Sequence, residues 1–316
     1  MNKTRLIIFL SSISFWAFGQ EGLEQDAPNW ITKNLHGEIK IIEEKSFIGI
    51  EQNEDFVAKS PGWKNSWERD TKSIFDSLGN LIKVDFYNSG RIERSEVYKY
   101  QNLRLIESIR LFHHRIFEYD DLGRIKIEYF KRQQPETIKS GNEHPVNKST
   151  FSKIEYFYDI SGKLIKKIET EPSNSAQRID SIFYDSQNRP IQILSYLDDL
   201  IEVQLLSYDS NGNMQELAVG DNEDGLMEKT IYAYENNQLS IEYWEVYMDN
   251  QLEGTVIYYY EGGNEVKTVE TESEGSVTNT TETSYVFDQK GNWIKKIMID
   301  NDEGSIYIVT RKIEYY

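Results

Sequence analysis

Stacked antiparallel β-hairpins, forming one long curved or wound all-β sheet, are what three features of this sequence predict. A turn motif recurs about every 26 residues, bulky and polar residues alternate between the turns, and aromatic residues displace helix formers. The chain of 316 residues has 14 Phe, 21 Tyr and 6 Trp against six Ala. That balance favours strands over helices.

The turn motif is an aromatic residue, a tight turn and an aliphatic residue. It reads FDSLGNLI at Phe75, YQNLRLI at Tyr100, YDDLGRI at Tyr119, YDISGKLI at Tyr158 and YDSQNRPI at Tyr184. It continues as YDSNGNM at Tyr208, YENNQLSI at Tyr234, YEGGNEV at Tyr260 and FDQKGNWI at Phe287. Successive spacings are 25, 19, 39, 26, 24, 26, 26 and 27 residues. Self-similarity at such a period marks a repeat architecture. Asp after the aromatic can accept a hydrogen bond from a backbone N–H two residues on, and the Gly that follows can adopt positive φ. A second turn begins 13 residues after the aromatic, as in NSG at Asn88, DNEDG at Asp221 and DNDEG at Asp300. Each unit is therefore strand, turn, strand, turn. Before each first turn two bulky side chains sit two residues apart and share a face, as in Tyr98/Tyr100, Tyr156/Tyr158 and Tyr258/Tyr260. Stacked units line them into an aromatic column of cross-strand contacts.

Y-D-x-x-G-[RN]-[LI] resembles the YD repeat of Rhs-type β-repeat proteins, and the closing unit from Phe287 to Tyr316 is similar to that of secreted repeat proteins of Bacteroidetes type. The resemblance covers about residues 70–316, with NLHGEIKIIEEKSF supplying a further strand. It implies long antiparallel hairpins wound into a curved sheet or shell. Large Rhs proteins enclose a toxin behind a self-cleaving Asp-Pro motif. No Asp-Pro occurs here, so a scaffold without a toxin domain is expected.

Residues 1–19 have the anatomy of a signal peptide: basic Lys3 and Arg5, an apolar run from Leu6 to Phe18, and small Ala17 and Gly19 before a cut at Gln20. The expected organisation is a leader over 1–19, an N-terminal extension over 20–36 and one repeat domain over 37–316. Export to the periplasm, cell surface or exterior follows. Loss of Lys3 and Arg5 takes the formal charge from −18 to −20. So acidic a surface disfavours nucleic acid as a partner. Without Cys there are no disulfides, and packing alone must hold the fold. No transmembrane helix is expected in the mature chain. An outer-membrane barrel is disfavoured because charges fall on both faces of most strands.

Two stretches break the period. Residues 49–65 read as a long loop between the first two strands, and Lys131–Thr150 is an insertion. Trp63 and Trp67 flank the first and are the candidate ligand-binding residues. No catalytic motif is found among the four His and the many carboxylates, and no cofactor is expected. DNEDG and DNDEG lack the spaced ligands of an EF-hand, so no metal is assigned. The leading expectation is a non-enzymatic extracytoplasmic binding or structural scaffold that recognises a glycan or protein through these loops. An immunity-like protein masking a secreted toxin and an envelope polysaccharide hydrolase are the alternatives.

The leader sets the first prediction. N-terminal sequencing of the native envelope protein should start at Gln20, and a retained Met1 would contradict export by cleavage.

Overall fold

The computed structural model describes residues 28–53, 55–62, 70–110, 113–132, 148–172, 177–221 and 225–316; the expected leader lies outside them. The strands are β1 (Ile39–Gln52), β2 (Asp55–Pro61), β3 (Thr71–Phe75), β4 (Leu81–Asn88), β5 (Arg91–Gln101), β6 (Arg104–Ile109) and β7 (His113–Tyr119). Then come β8 (Ile125–Arg132), β9 (Ser152–Tyr158), β10 (Leu164–Thr170), β11 (Gln177–Tyr184), β12 (Pro190–Leu197), β13 (Asp199–Tyr208) and β14 (Met214–Gly220). The last are β15 (Leu226–Glu235), β16 (Gln238–Met248), β17 (Gln251–Glu261), β18 (Asn264–Glu272), β19 (Val277–Phe287), β20 (Trp293–Asp300) and β21 (Ser305–Tyr315).

From β3 to β21 each strand pairs antiparallel with the next, as the hairpin repeat predicts. The sheet does not stay open. β1 pairs with β3 from Ile41↔Ile74 to Glu44↔Thr71 on one edge, and with β21 from Ile39↔Tyr315 to Ile48↔Tyr307 on the other. The curved or wound sheet expected from the repeat closes into a barrel of 20 strands, because β2 and β3 share one stave: both pair with β1 on the edge away from β21. The curl has a local cause. After each first turn one residue is extra in the register: Ile165 lies between Leu164 (opposite Tyr158) and Lys166 (opposite Phe157), and Ile191 and Ile294 repeat the pattern. Such bulges bend the strand and increase its twist.

The repeat's sequence is explained atom by atom at this turn. Asp120 Oδ1 accepts from the backbone N–H of Leu122 at 3.0 Å and of Arg124 at 2.9 Å. Asp159, Asp185, Asp209 and Asp288 bind their own turns the same way. The third residue after the Asp needs positive φ, supplied by Gly123 at 86° and, where Gly is missing, by Asn188 at 66°. Four consecutive motif tyrosines then reach back one hairpin through their hydroxyls. Tyr119 donates to the Leu105 carbonyl at 2.6 Å, Tyr158 to Ile125 at 2.7 Å, Tyr184 to Leu164 at 2.7 Å and Tyr208 to Pro190 at 2.8 Å. The motif's basic residue lies over the next tyrosine ring, with Arg124 4.3 Å from the centroid of Tyr158 and Arg189 4.5 Å from that of Tyr208.

These tyrosines face the inside. The segment before β1 packs against their face: Trp30 lies on Gly79, the Pro28 carbonyl accepts from Leu81 N at 2.8 Å, and Asn34 lies beside Gly263 in the β17–β18 turn. Leu35 joins the core cluster of Ile39, Phe75, Leu81 and Tyr98. So short a segment touches turns on both flanks of β1 only by crossing the concave side. Twenty strands about 4.8 Å apart give a circumference of about 95 Å and a width of at least about 30 Å. Side chains do not fill a ring of that size.

The expected loop over residues 49–65 is also corrected. It is largely the tip of the β1–β2 hairpin, turned at Asn53 with φ of 52°. A bulge between Ile48 and Gly49 folds this tip over the outside of the barrel, where Lys295 Nζ donates to the Phe56 carbonyl at 2.9 Å. Gly49 is required there, since a Cβ would stand 2.7 Å from Ile306.

Two outcomes test this architecture. Tyr184→Phe should cost about 1 kcal/mol in urea melts by removing one hydroxyl bond. Deleting Ser305–Tyr316 should open the ring, expose the edges of β1 and β20, and yield oligomers on a sizing column. An unchanged monomer would contradict closure.

Candidate functional site

With the backbone of the ring paired to itself, recognition falls to side chains on the two faces. On the inside, the closing strands and β7–β13 carry compensated charge. Arg311 Nε is 2.7 Å from Glu44, Arg115 Nε is 2.5 Å from Glu128, and Arg178 Nε is 3.2 Å from Asp180. Burial opposes the charge on Glu44, but Arg311 and the Thr71 hydroxyl hold its carboxyl below the usual range. The arc from β15 to β18 differs. By register Glu228, Glu242, Glu265 and Glu270 share the inner face with Tyr232, Tyr258 and Tyr260. The lysines of these strands, Lys229 and Lys267, point outward. Burial pushes the Glu242 carboxyl up despite a 3.1 Å hydrogen bond from the Tyr260 hydroxyl. It pushes the phenols of Tyr232 and Tyr258 up to about 12.

The outer face carries ion pairs. Lys72–Glu43 at 2.8 Å, Lys99–Glu107 at 3.0 Å, Lys153–Glu155 at 2.8 Å and Lys229–Glu216 at 3.1 Å lie across or along its strands. Apolar side chains share this face: Phe157, Ile165, Phe183, Ile191 and Leu205 are exposed on β9–β13, and by register Ile231, Tyr243, Ile257 and Val269 make an outward row across β15–β18. A lipid-facing Lys near a bilayer midplane costs roughly 2–4 kcal/mol.

The outer face also holds a recess of about 440 Å³, lined by Tyr129, Lys148, Phe151, Lys153, Glu155, Thr170, Glu171 and Pro172. Its floor is one row of the register, Tyr129 opposite Lys153 and Lys153 opposite Thr170, across β8, β9 and β10. Its wall is the end of the insertion, where a 3-10 turn at Lys148–Thr150 lays Phe151 against the sheet. Lys148 Nζ lies 4.4 Å from the centroid of Tyr129 and 2.5 Å from Glu118 Oε1, while the Thr150 hydroxyl accepts from Lys131 at 3.2 Å. Behind the wall, His114 packs edge-on to Phe151 and its Nε2 is 2.7 Å from Glu107 Oε1. The bond with His114, together with that from Lys99, holds the Glu107 carboxyl down to about 2 against the cost of its burial.

Trp63 and Trp67 and residues 133–147 of the insertion lie outside the described residues. No structural role is assigned to the two tryptophans. The recess uses only the end of the insertion, and its floor residues come from positions that carry no motif. The interruption of the period was the one signal in the sequence that pointed near it.

Comparison with protein-family models and with curated proteins finds no match. Among solved structures, a TcdB2-TccC3 crystal structure is similar with TM-score 0.35 and 12% identity over 79% of this chain, which spans only 16% of that one. A porin-like protein from Bacteroides uniformis is similar with TM-score 0.36 and 10% identity, over 87% of this chain and 96% of that one. A porin-like protein from Bacteroides vulgatus gives TM-score 0.29 and 9% identity, over 89% and 99%.

Two pH dependences follow. Glu242 is raised in the folded state, so its ionisation destabilises the fold above the unfolded carboxylate range of about 4.3. Glu242→Gln should raise the melting temperature at neutral pH, and the gain should shrink as pH falls toward 4. Glu107 is lowered, so its contribution is present above that range and lost as pH falls toward about 2. Glu107→Gln should flatten this acid limb; an unchanged limb would show that other carboxylates set it.

Proposed function

We propose that the protein is an exported, non-enzymatic binding shell that recognises a glycan or a protein of the cell envelope. The supporting observation is ring closure with charged side chains on both faces. Among the described strands it pairs both edges of every one but β2, and it places ion pairs on the exterior. Specific recognition then rests on the places where the repeat is irregular, of which the outer recess is one.

A second reading, an immunity-like protein that masks a basic toxin domain, is favoured by the inner arc of Glu228, Glu242, Glu265 and Glu270. Charge complementarity of this kind steers association and selects partners.

Immobilised protein challenged with native envelope extract and a glycan array separates the readings. A glycan or envelope protein retained by the parent and by a Glu228→Gln/Glu242→Gln/Glu270→Gln variant supports the first. A basic protein retained by the parent alone supports the second. Release of reducing ends from envelope polysaccharide would overturn the non-enzymatic assignment.

A further inference from the structure

We propose that the outer recess binds a neutral saccharide of one or two rings, with Tyr129 and Pro172 against the sugar's C–H surface and Lys153, Glu155, Thr170 and Glu171 on its hydroxyls. This names a site and a ligand class within the binding-shell reading and rests on it. Four observations carry it.

The first is charge. Lys153 pairs with Glu155 and Lys148 with Glu118, so the lining has no surplus of cations and at most one further carboxylate, Glu171. A phosphate or polyanion needs a surplus of cations, and a polyamine needs a surplus of carboxylates. The second is donor and acceptor content. Two ammonium groups and the Thr170 hydroxyl donate, and two carboxylates accept. A sugar hydroxyl does both at once, and it can bond the donors and acceptors left over by the direct Lys153–Glu155 ion pair at 2.8 Å. The third is preorganisation. Lys153 and Glu155 lie two apart on one strand, Tyr129 and Thr170 flank Lys153 in register, and Lys148 is held at Glu118. Little side-chain freedom is left to lose on binding. The fourth is size and access. The recess of about 440 Å³ opens to solvent, and it falls within the roughly 300–1,000 Å³ of small-ligand sites. An apolar ligand would gain little from so open a site.

The test is ligand-observed NMR titration of the full mature chain with cellobiose, maltose, lactose and di-N-acetylchitobiose, alongside inorganic phosphate and spermidine. At least one disaccharide should bind with a Kd on the order of 1 mM, as suits an open recess, and the charged probes should not. Tyr129→Ala should weaken binding about tenfold or more, since the ring supplies the apolar contact. The near-isosteric Glu155→Gln should weaken it several-fold, while Glu216→Gln elsewhere on the outer face should leave it unchanged. Urea melts report whether each variant is folded; should Tyr129→Ala fail to fold, Glu155→Gln and Lys153→Met decide. The inference is overturned if no disaccharide binds in the tens of millimolar, if phosphate or spermidine binds more tightly, or if the recess variants bind as the parent does. An envelope partner still captured by Tyr129→Ala would remove this site and leave the shell reading standing. Disaccharide binding with no envelope partner would do the reverse.

Discussion

Much of this barrel depends on tyrosine hydroxyls that reach the backbone of the hairpin before them, as those of Tyr100, Tyr119, Tyr158, Tyr184, Tyr208 and Tyr285 do. Hydrogen bonds between paired strands exist in any sheet and say nothing about which hairpin follows which. The bond from Tyr184 to the Leu164 carbonyl, with Lys163 lying over the Tyr184 ring, ties one unit to its predecessor through side chains. Because the aspartate turn fixes where the tyrosine stands, errors of register are penalised at each such repeat. Packing could not do this alone, since only a few side chains, Phe75, Ile39, Leu81, Leu217 and Ile308 among the apolar ones, are fully buried.

Closure extends the same logic to the chain ends. The Tyr316 hydroxyl donates to the Phe75 carbonyl at 2.7 Å, passing across β1 to the first repeat. Arg311 covers the Trp293 ring at 3.2 Å and pairs with Glu44, so the seam carries a cation, a carboxylate and an aromatic ring in contact. The backbone N–H of His36 donates to the Asn292 side chain at 2.7 Å, and Asn292 donates in turn to the Tyr315 hydroxyl at 2.9 Å. The segment before β1 thus fastens the seam from inside.

The sequence shows the unit far better than the assembly. Tyr, Asp and Gly at fixed offsets reveal the hairpin because each acts on residues within a few positions. The basic residue after the Gly was visible as a pattern but not as a cation–π partner, since its ring lies one hairpin away. Closure was hidden because Ile42 and Ile313 pair with nothing between them that announces it. The tip of β1–β2 was missed for a different reason: Gly49, Asn53 and the Pro-Gly at residue 61 look like loop signals, yet Gly49 is there for close approach to Ile306. The recess is a coincidence of register among Tyr129, Lys153 and Thr170, and no single-strand pattern encodes it.

The sharing of one stave by β2 and β3 carries an arithmetic consequence. Strands that alternate in direction close on themselves only when their number is even; an odd stave would meet its neighbour running the same way. β2 and β3 both run antiparallel to β1 on the edge away from β21, β2 beside its later residues and β3 beside its earlier ones, so the two count as one stave. Parity therefore limits how such a shell changes size over generations. Whole hairpins can be gained or lost, but a single added strand must lie end to end with a neighbour in one stave, as β2 lies with β3.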